Sequence, residues 1–169
     1  GYNVNGQHDG YHIDLKKYEF SKEIEEKLNK LSSKGYHISY YDEAKHYGWE
    51  SFFNELGNEG FKNSVYKTLA GPYKNKLVIA EQNGRICGFT GPVKIEPTGR
   101  ASLNGVAIDP RDQHQGLGKV MFSMLCKLSK DAGGEYMTLF TGADNPARNI
   151  YLYAGLRIAQ SFVVMKKML

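Results

Sequence analysis

The chain has 169 residues, of which 41% are apolar and 24% charged, the balance of one globular domain with its own core rather than of a disordered chain. The net charge of +4 sits on scattered lysines rather than a basic run, which argues against nucleic acid as a partner and leaves anionic small ligands welcome. No apolar run reaches membrane-spanning length and no signal peptide opens the chain, so no membrane partner is expected. Cys87 and Cys126, far apart in apolar patterns, read as reduced core thiols of a cytoplasmic protein, not as a disulfide or a metal site. An opening on Gly1 rather than Met fits a processed chain or a piece of a longer one.

In chain order, residues 1–20 are rich in Tyr, Gly and Asn. Asp9-Gly10 is a hairpin-type turn with Tyr11, Ile13 and Leu15 alternating behind it, so a β-hairpin is expected. Ser21 is placed to cap a helix over Lys22 to Lys34, with Ile24, Leu28 and Leu31 as its inner stripe and Gly35 as its stop. Tyr36 to Tyr41 reads as a strand. Asp42 then caps a helical stretch to about Leu56, whose Trp49, Phe52 and Phe53 read as core. Gly57 and Gly60 break it before a short helix from Phe61 to Leu69. Lys76 to Gln82 and Arg85 to Val93 flank Asn83-Gly84, a two-residue hairpin signal. Glu96 to Gly99 turns the chain into a third strand, Arg100 to Ile108, which completes an antiparallel meander.

Val106 to Lys119 then orders a strand, a glycine loop and a helix. Val106-Ala107-Ile108 is a short β-leaning run closed by Asp109-Pro110. Leu117, Val120, Met121, Met124, Leu125 and Leu128 fall on one helix face. Gly116 and Gly118 remove side chains where the backbone enters that helix. The unpaired N–H groups of its first turn, backed by the helix dipole, suit a phosphate or pyrophosphate. A P-loop is not present, and the third glycine of a dinucleotide fingerprint would fall on Met121. Gly133-Gly134 ends the helix. Tyr136 to Phe140 is expected as a strand parallel to the one before the helix, because the crossover demands it. Asn145-Pro146 starts a last helix with Ala147, Ile150, Tyr151 and Ala154 inside. Gly155 ends it, and Arg157 to Leu169 gives one or two closing strands. There is no internal repeat.

Gln113-His114-Gln115-Gly116-Leu117-Gly118 resembles the Q/R-x-x-G-x-G/A motif of the GCN5-related N-acetyltransferase (GNAT) superfamily, and Val106, Ile108 and Pro110 match the strand before it. Asn145 to Leu156 is similar to the family's second signature, N-x-x-A/R-x-x-Y-x-x-x-G-F, with Leu156 in place of Phe. The resemblance implies an α/β (α+β mixed-sheet) GNAT fold, in which an antiparallel meander leads into a parallel β-α-β core with a splayed central strand pair. It places the acetyltransferase domain over residues 21–169. Residues 1–20 resemble the closing hairpin of a preceding domain in a tandem protein; an extra edge hairpin of this domain is the alternative. A homodimer is compatible with either.

What the resemblance implies chemically is acetyl transfer from acetyl-CoA to a primary amine by direct attack in a ternary complex, without a metal. A small-molecule acceptor is favoured over a protein, and the resemblance makes the helices after the first strand, up to Leu69, part of the acceptor site, against the core reading favoured for Trp49, Phe52 and Phe53. The pyrophosphate of the carrier would lie on the amides from His114 through Gln115, Gly116, Leu117 and Gly118 to Lys119, with the Gln113 and Lys119 side chains adding contacts. Val106, Ala107 and Ile108 would hold the pantetheine arm as an added strand. Asn104-Gly105 is the position for a bulge that frees an N–H near Val106 or Ala107 to polarise the thioester. Asn145 matches the asparagine that contacts the carrier. Tyr151 matches the tyrosine that protonates the departing thiolate, against a plain core role. The base stays unassigned: Arg100 to Asn104 lacks the carboxylate that many members carry there, leaving Glu81, Glu96, His114 or a water chain. The rival readings are a non-catalytic acyl-CoA-binding or regulatory module and a nucleotide-phosphate-binding domain.

Overall fold

The run from Arg100 to Ile108 breaks in the middle, and the break divides the strands of the computed structural model between two sheets. The structure describes residues 2–142 and 147–167. In chain order these form β1 (Tyr2–Asp14), α1 (Lys22–Ser33), β2 (Tyr36–Tyr40), α2 (Trp49–Leu56), α3 (Glu59–Leu69), β3 (Val78–Gln82), β4 (Arg85–Thr90), β5 (Lys94–Ile95), β6 (Arg100–Ser102), β7 (Val106–Ile108), α4 (Leu117–Asp131), β8 (Tyr136–Gly142), α5 (Arg148–Ala154) and β9 (Arg157–Lys167). The first sheet is the antiparallel meander β2-β3-β4-β7, and the second has the order β5-β6-β8-β1-β9. The crossover through α4 brings β8 parallel to β6, with Arg100 opposite Tyr136 and Ala101 opposite Met137. β8 thus pairs with the first half of the broken run, while β7, the second half, pairs with β4 on its other side.

Local chemistry sets most element ends. The Ser21 hydroxyl caps α1 by accepting from Ile24 N–H at 3.2 Å, and Asn58 caps α3 by accepting from Phe61 N–H at 2.9 Å. Asn83, at φ 53°, and Gly84, at φ 86°, form the tight turn joining β3 to β4. Asp42 does not start a helix: its side chain closes a short turn onto Ala44 N–H at 2.9 Å, and α2 begins only after Gly48.

The hairpin expected at Asp9-Gly10 does not form. Residues 2–14 make one strand that lies between β8 and β9, antiparallel to both. The Asp-Gly pair falls where the register with β9 slips between Gly10 and Tyr11, so the turn signal is absorbed as an irregularity within a long strand. Pairing on both edges outweighs a local turn preference.

Leu77, Val78, Ile79 and Ala80 are buried in succession because helices cover both faces of the first sheet. On one face, Trp49, Phe52 and Phe53 of α2 pack with Phe89, with Trp49 stacked 5.8 Å from Phe53. Each such fully buried aromatic contributes roughly 1.5–3 kcal/mol relative to leaving it exposed. On the other face, Ile24 and Leu31 of α1 meet Leu117, Val120 and Met121 of α4. The opposite side of α4, with Phe122, Leu125 and Cys126, packs on Tyr11, Met137 and Leu156. α4 is therefore buried on two sides, more than its single apolar stripe suggests. Among the described residues no helix is long and apolar enough to cross a membrane.

Candidate functional site

β7 is the edge strand of its sheet, and the chain leaves it directly into the glycine loop. That loop rests on buried charge. Arg85 Nη2 donates to both carboxylate oxygens of Asp112, at 3.0 and 3.1 Å, and the Tyr36 hydroxyl donates to the same group at 2.9 Å. Asp109 accepts from Arg111 N–H at 2.8 Å and from the Arg111 guanidinium at 3.0 and 2.7 Å. Burial opposes the charge on Asp109, but its bonds to Arg111 and the nearby Arg85 outweigh it and hold the carboxyl below the usual range. Burial, reinforced by Asp112, pushes the Tyr36 hydroxyl up to about 12. The hydrogen bond to Asp112 also holds the Arg85 guanidinium more firmly protonated.

Above this base the backbone turns sharply. His114 takes φ 66°, unusual outside glycine, and Gly116 takes φ 82° as the residue before α4. Gly116 offers no side-chain acceptor, and the first helical bond runs from Val120 N–H to Gly116 O at 3.4 Å. The amides of Leu117, Gly118 and Lys119 therefore have no acceptor within the helix. Gly118 also allows α5 to pack close: a Cβ there would lie 2.8 Å from Ile150 Cδ1.

A cavity of about 570 Å³ opens against this turn. One wall is Val106, Ala107 and Ile108 of β7, and the next is Gln113, His114, Gly116, Leu117, Gly118 and Lys119. Leu56 and Phe61 face them from α2 and α3, Ala147 and Ile150 from the α5 side, with Lys27 and Asp112 completing the lining. Lys119 and Lys27 flank the Tyr153 ring at 5.2 and 4.4 Å from its centroid. The sequence-read carrier residues thus gather on one cavity, with two exceptions. Gln115 faces a neighbouring cleft, where its side-chain oxygen accepts from Lys34 Nζ at 3.2 Å, and Asn145 lies outside the described residues.

Tyr151 is not among the lining residues. It is 6% exposed, with its ring 5.0 Å from Phe122 and 5.8 Å from Tyr11. Burial, with Tyr11 beside it, raises its pKa, so the hydroxyl stays protonated. Of the base candidates only His114 lines the cavity. Glu96 is ion-paired to Arg100 at 3.0 Å, and Glu81 accepts from Gly84 N–H on the far end of the meander. Among the described residues no group of His, Cys, Asp and Glu is arranged to hold a metal.

A family model described as the acetyltransferase (GNAT) family matches residues 26–155. The chain belongs to this family. Solved structures share the GNAT fold at low identity. One is a GCN5-related glucosamine N-acetyltransferase region of a fungal multi-domain GH3 β-N-acetylglucosaminidase, 12% identical with a TM-score of 0.74, matching 98% of this chain and 21% of that one. Another, a GNAT-family acetyltransferase from Colwellia psychrerythraea, is 16% identical with a TM-score of 0.66 over 98% of this chain and 56% of the other. A third, a GCN5-related N-acetyltransferase from Sphaerobacter thermophilus, is 13% identical with a TM-score of 0.66 over 98% of this chain and 52% of the other. The chain thus spans between about a fifth and just over half of these relatives. A comparison with curated proteins finds no match.

The GNAT motif carried the glycine loop but not what supports it. Arg85 and Tyr36 come from distant strands and meet Asp112 only in the folded chain. Asp109 and Asp112, flanking Pro110-Arg111, were the one local sign of a charged turn there. Lys27 reaches the cavity from a helix face read as solvated charge, and Phe61 from a helix that the resemblance linked to the acceptor rather than to the carrier.

Proposed function

We propose that this GNAT protein is an N-acetyltransferase that moves an acetyl group from acetyl-CoA to a primary amine by direct attack in a ternary complex. The observation that carries this reading is the cavity in which the first-turn amides of α4, without acceptors inside the helix, meet the edge strand β7. The amides at His114 to Lys119 suit the diphosphate, assisted by Lys119 and Gln113. The edge of Val106 to Ile108 suits the pantetheine arm, which would extend the sheet as β8 cannot. An N–H at Val106 or Ala107, next to the break at Gly105, would polarise the thioester carbonyl.

Direct attack is favoured over an acyl-enzyme because both thiols are fully buried and held protonated. Burial pushes Cys87 and Cys126 up to about 12, which leaves no thiolate to act as nucleophile. Tyr151, protonated and next to Ile150 of the cavity wall, is assigned as the donor to the departing sulfur. Its burial favours one rival, a non-catalytic acyl-CoA-binding module. We treat residues 2–167 as one unit, because β1 lies inside the second sheet. The free thiols suit a reducing compartment such as the cytoplasm.

The test compares thermal unfolding with acetyl-CoA, CoA and ATP, followed by thiol release over amines. At a ligand concentration a hundredfold above Kd, stabilisation reaches about 2.7 kcal/mol. CoA and acetyl-CoA should raise Tm where ATP does not. A shift with ATP alone would point to the nucleotide reading, and CoA binding without thiol release to the non-catalytic one.

A further inference from the structure

A second cavity, of about 480 Å³, lies on the other side of Gly105. Like the first, it is lined from α3 and from the broken strand run. Phe61 of α3 lines the first cavity, while Ser64 and Thr68, further along the same helix face, line the second. Val106 lines the first and Asn104 and Ser102 the second, so the broken strand runs past both. Gly105, between Asn104 and Val106 in the chain, packs against Phe61 so closely that a Cβ on it would lie 2.6 Å from Phe61 Cε1. The rim of the second cavity carries Lys67 and Lys94, the latter with its ammonium 5.1 Å over the Tyr73 ring. Glu96, its one lining carboxylate, is engaged by Arg100. The balance of charge facing this space is positive.

We propose that this cavity receives the acceptor, and that the acceptor is an amine bearing an anionic group, a carboxylate or a phosphate, held by Lys67 and Lys94. The inference rests on the acetyl-transfer reading. An acyl arm laid along β7 from the α4 end presents its thioester beyond Val106, at Gly105. The attacking nitrogen then approaches from the Ser102 and Asn104 side. The neutral nitrogen bonds to the carbonyl carbon, the carbon–sulfur bond breaks, one proton leaves the nitrogen and one joins the thiolate, with no change of oxidation state. An uncharged amine leaves two ammonium groups unmatched there, and an anionic one pairs with them.

Thiol release from acetyl-CoA is measured on two matched pairs, 4-aminobutyrate against butylamine and phosphoethanolamine against ethanolamine. In at least one pair kcat/KM should favour the anionic member by about tenfold or more, and the responding pair tells carboxylate from phosphate. The double variant Lys67→Ala, Lys94→Ala, at two exposed positions, should bring that ratio towards one while CoA still raises Tm. If CoA binds and amines are turned over but neither pair shows the preference, or the double variant leaves the ratio unchanged, the acceptor assignment falls alone; CoA binding with no amine turned over overturns the acetyl-transfer reading and this one with it. If CoA does not bind, the acetyl-transfer reading falls and takes this one with it.

Discussion

Gly105 holds φ 146°, and its missing side chain is what lets Phe61 reach the strand. Gly105→Ala should destabilise the protein by about 1–3 kcal/mol in urea denaturation and weaken CoA binding as Phe61 is displaced. Gly116→Ala separates backbone strain from crowding: φ there is 82°, but a Cβ would meet nothing within 4 Å, so its loss should stay at about 1 kcal/mol. Equal losses at the two positions would show that Phe61 does not press on Gly105. Tyr151→Phe keeps the ring between Tyr11 and Phe122 and removes only the hydroxyl. Turnover should fall by roughly a hundredfold or more with CoA affinity retained, as for removal of a positioned acid. Unchanged turnover would make Tyr151 a packing residue.

Between β7 and α4, stability and binding meet in one turn. Arg85→Ala leaves Asp112 buried with Tyr36 as its remaining partner and should lose about 2–4 kcal/mol, read from the urea midpoint, with weaker CoA binding as the loop loosens. The strand, loop and helix of this turn were readable because each obeys a local rule: β-leaning residues, glycine at positive φ, an apolar helical stripe. The Asn83-Gly84 hairpin and the Ser21 cap were readable for the same reason. Asn104-Gly105 was readable as a bulge position, although the run proved to be two strands in two sheets. What failed depended on distant partners. Asp9-Gly10 looks like a turn until β8 and β9 pair with both its edges. Asp42 looks like a helix cap until Gly48 postpones the helix. The support of the glycine loop by Arg85 and Tyr36 has no local signal, whereas Tyr151 lies on the inner helix stripe where the spacing put it.

Buried acids set the pH limits of the whole fold. Cys87, Cys126 and Tyr36 are raised to about 12 in the folded state, so the unfolded chain loses their protons first as pH rises. Their contribution is complete below the ordinary thiol and phenol values and is lost towards pH 12; urea midpoints should therefore fall steadily from about pH 9 upward. Asp109 works in the opposite sense. Its lowered pKa stabilises above the ordinary carboxylate value and is lost as pH falls through the folded one. A midpoint that stays flat through the alkaline range would mean that these groups are reached by water. The placement of β1 acts on assembly rather than on titration. It comes first among the described strands, yet both of its neighbours, β8 and β9, lie more than 120 residues later in the sequence. Until β8 and β9 have been made, β1 has neither of its strand partners, and the second sheet stays open. Completing this sheet waits for β8 and β9 to be made, and a stall before β8 would leave a β-rich, unpaired segment exposed to other chains.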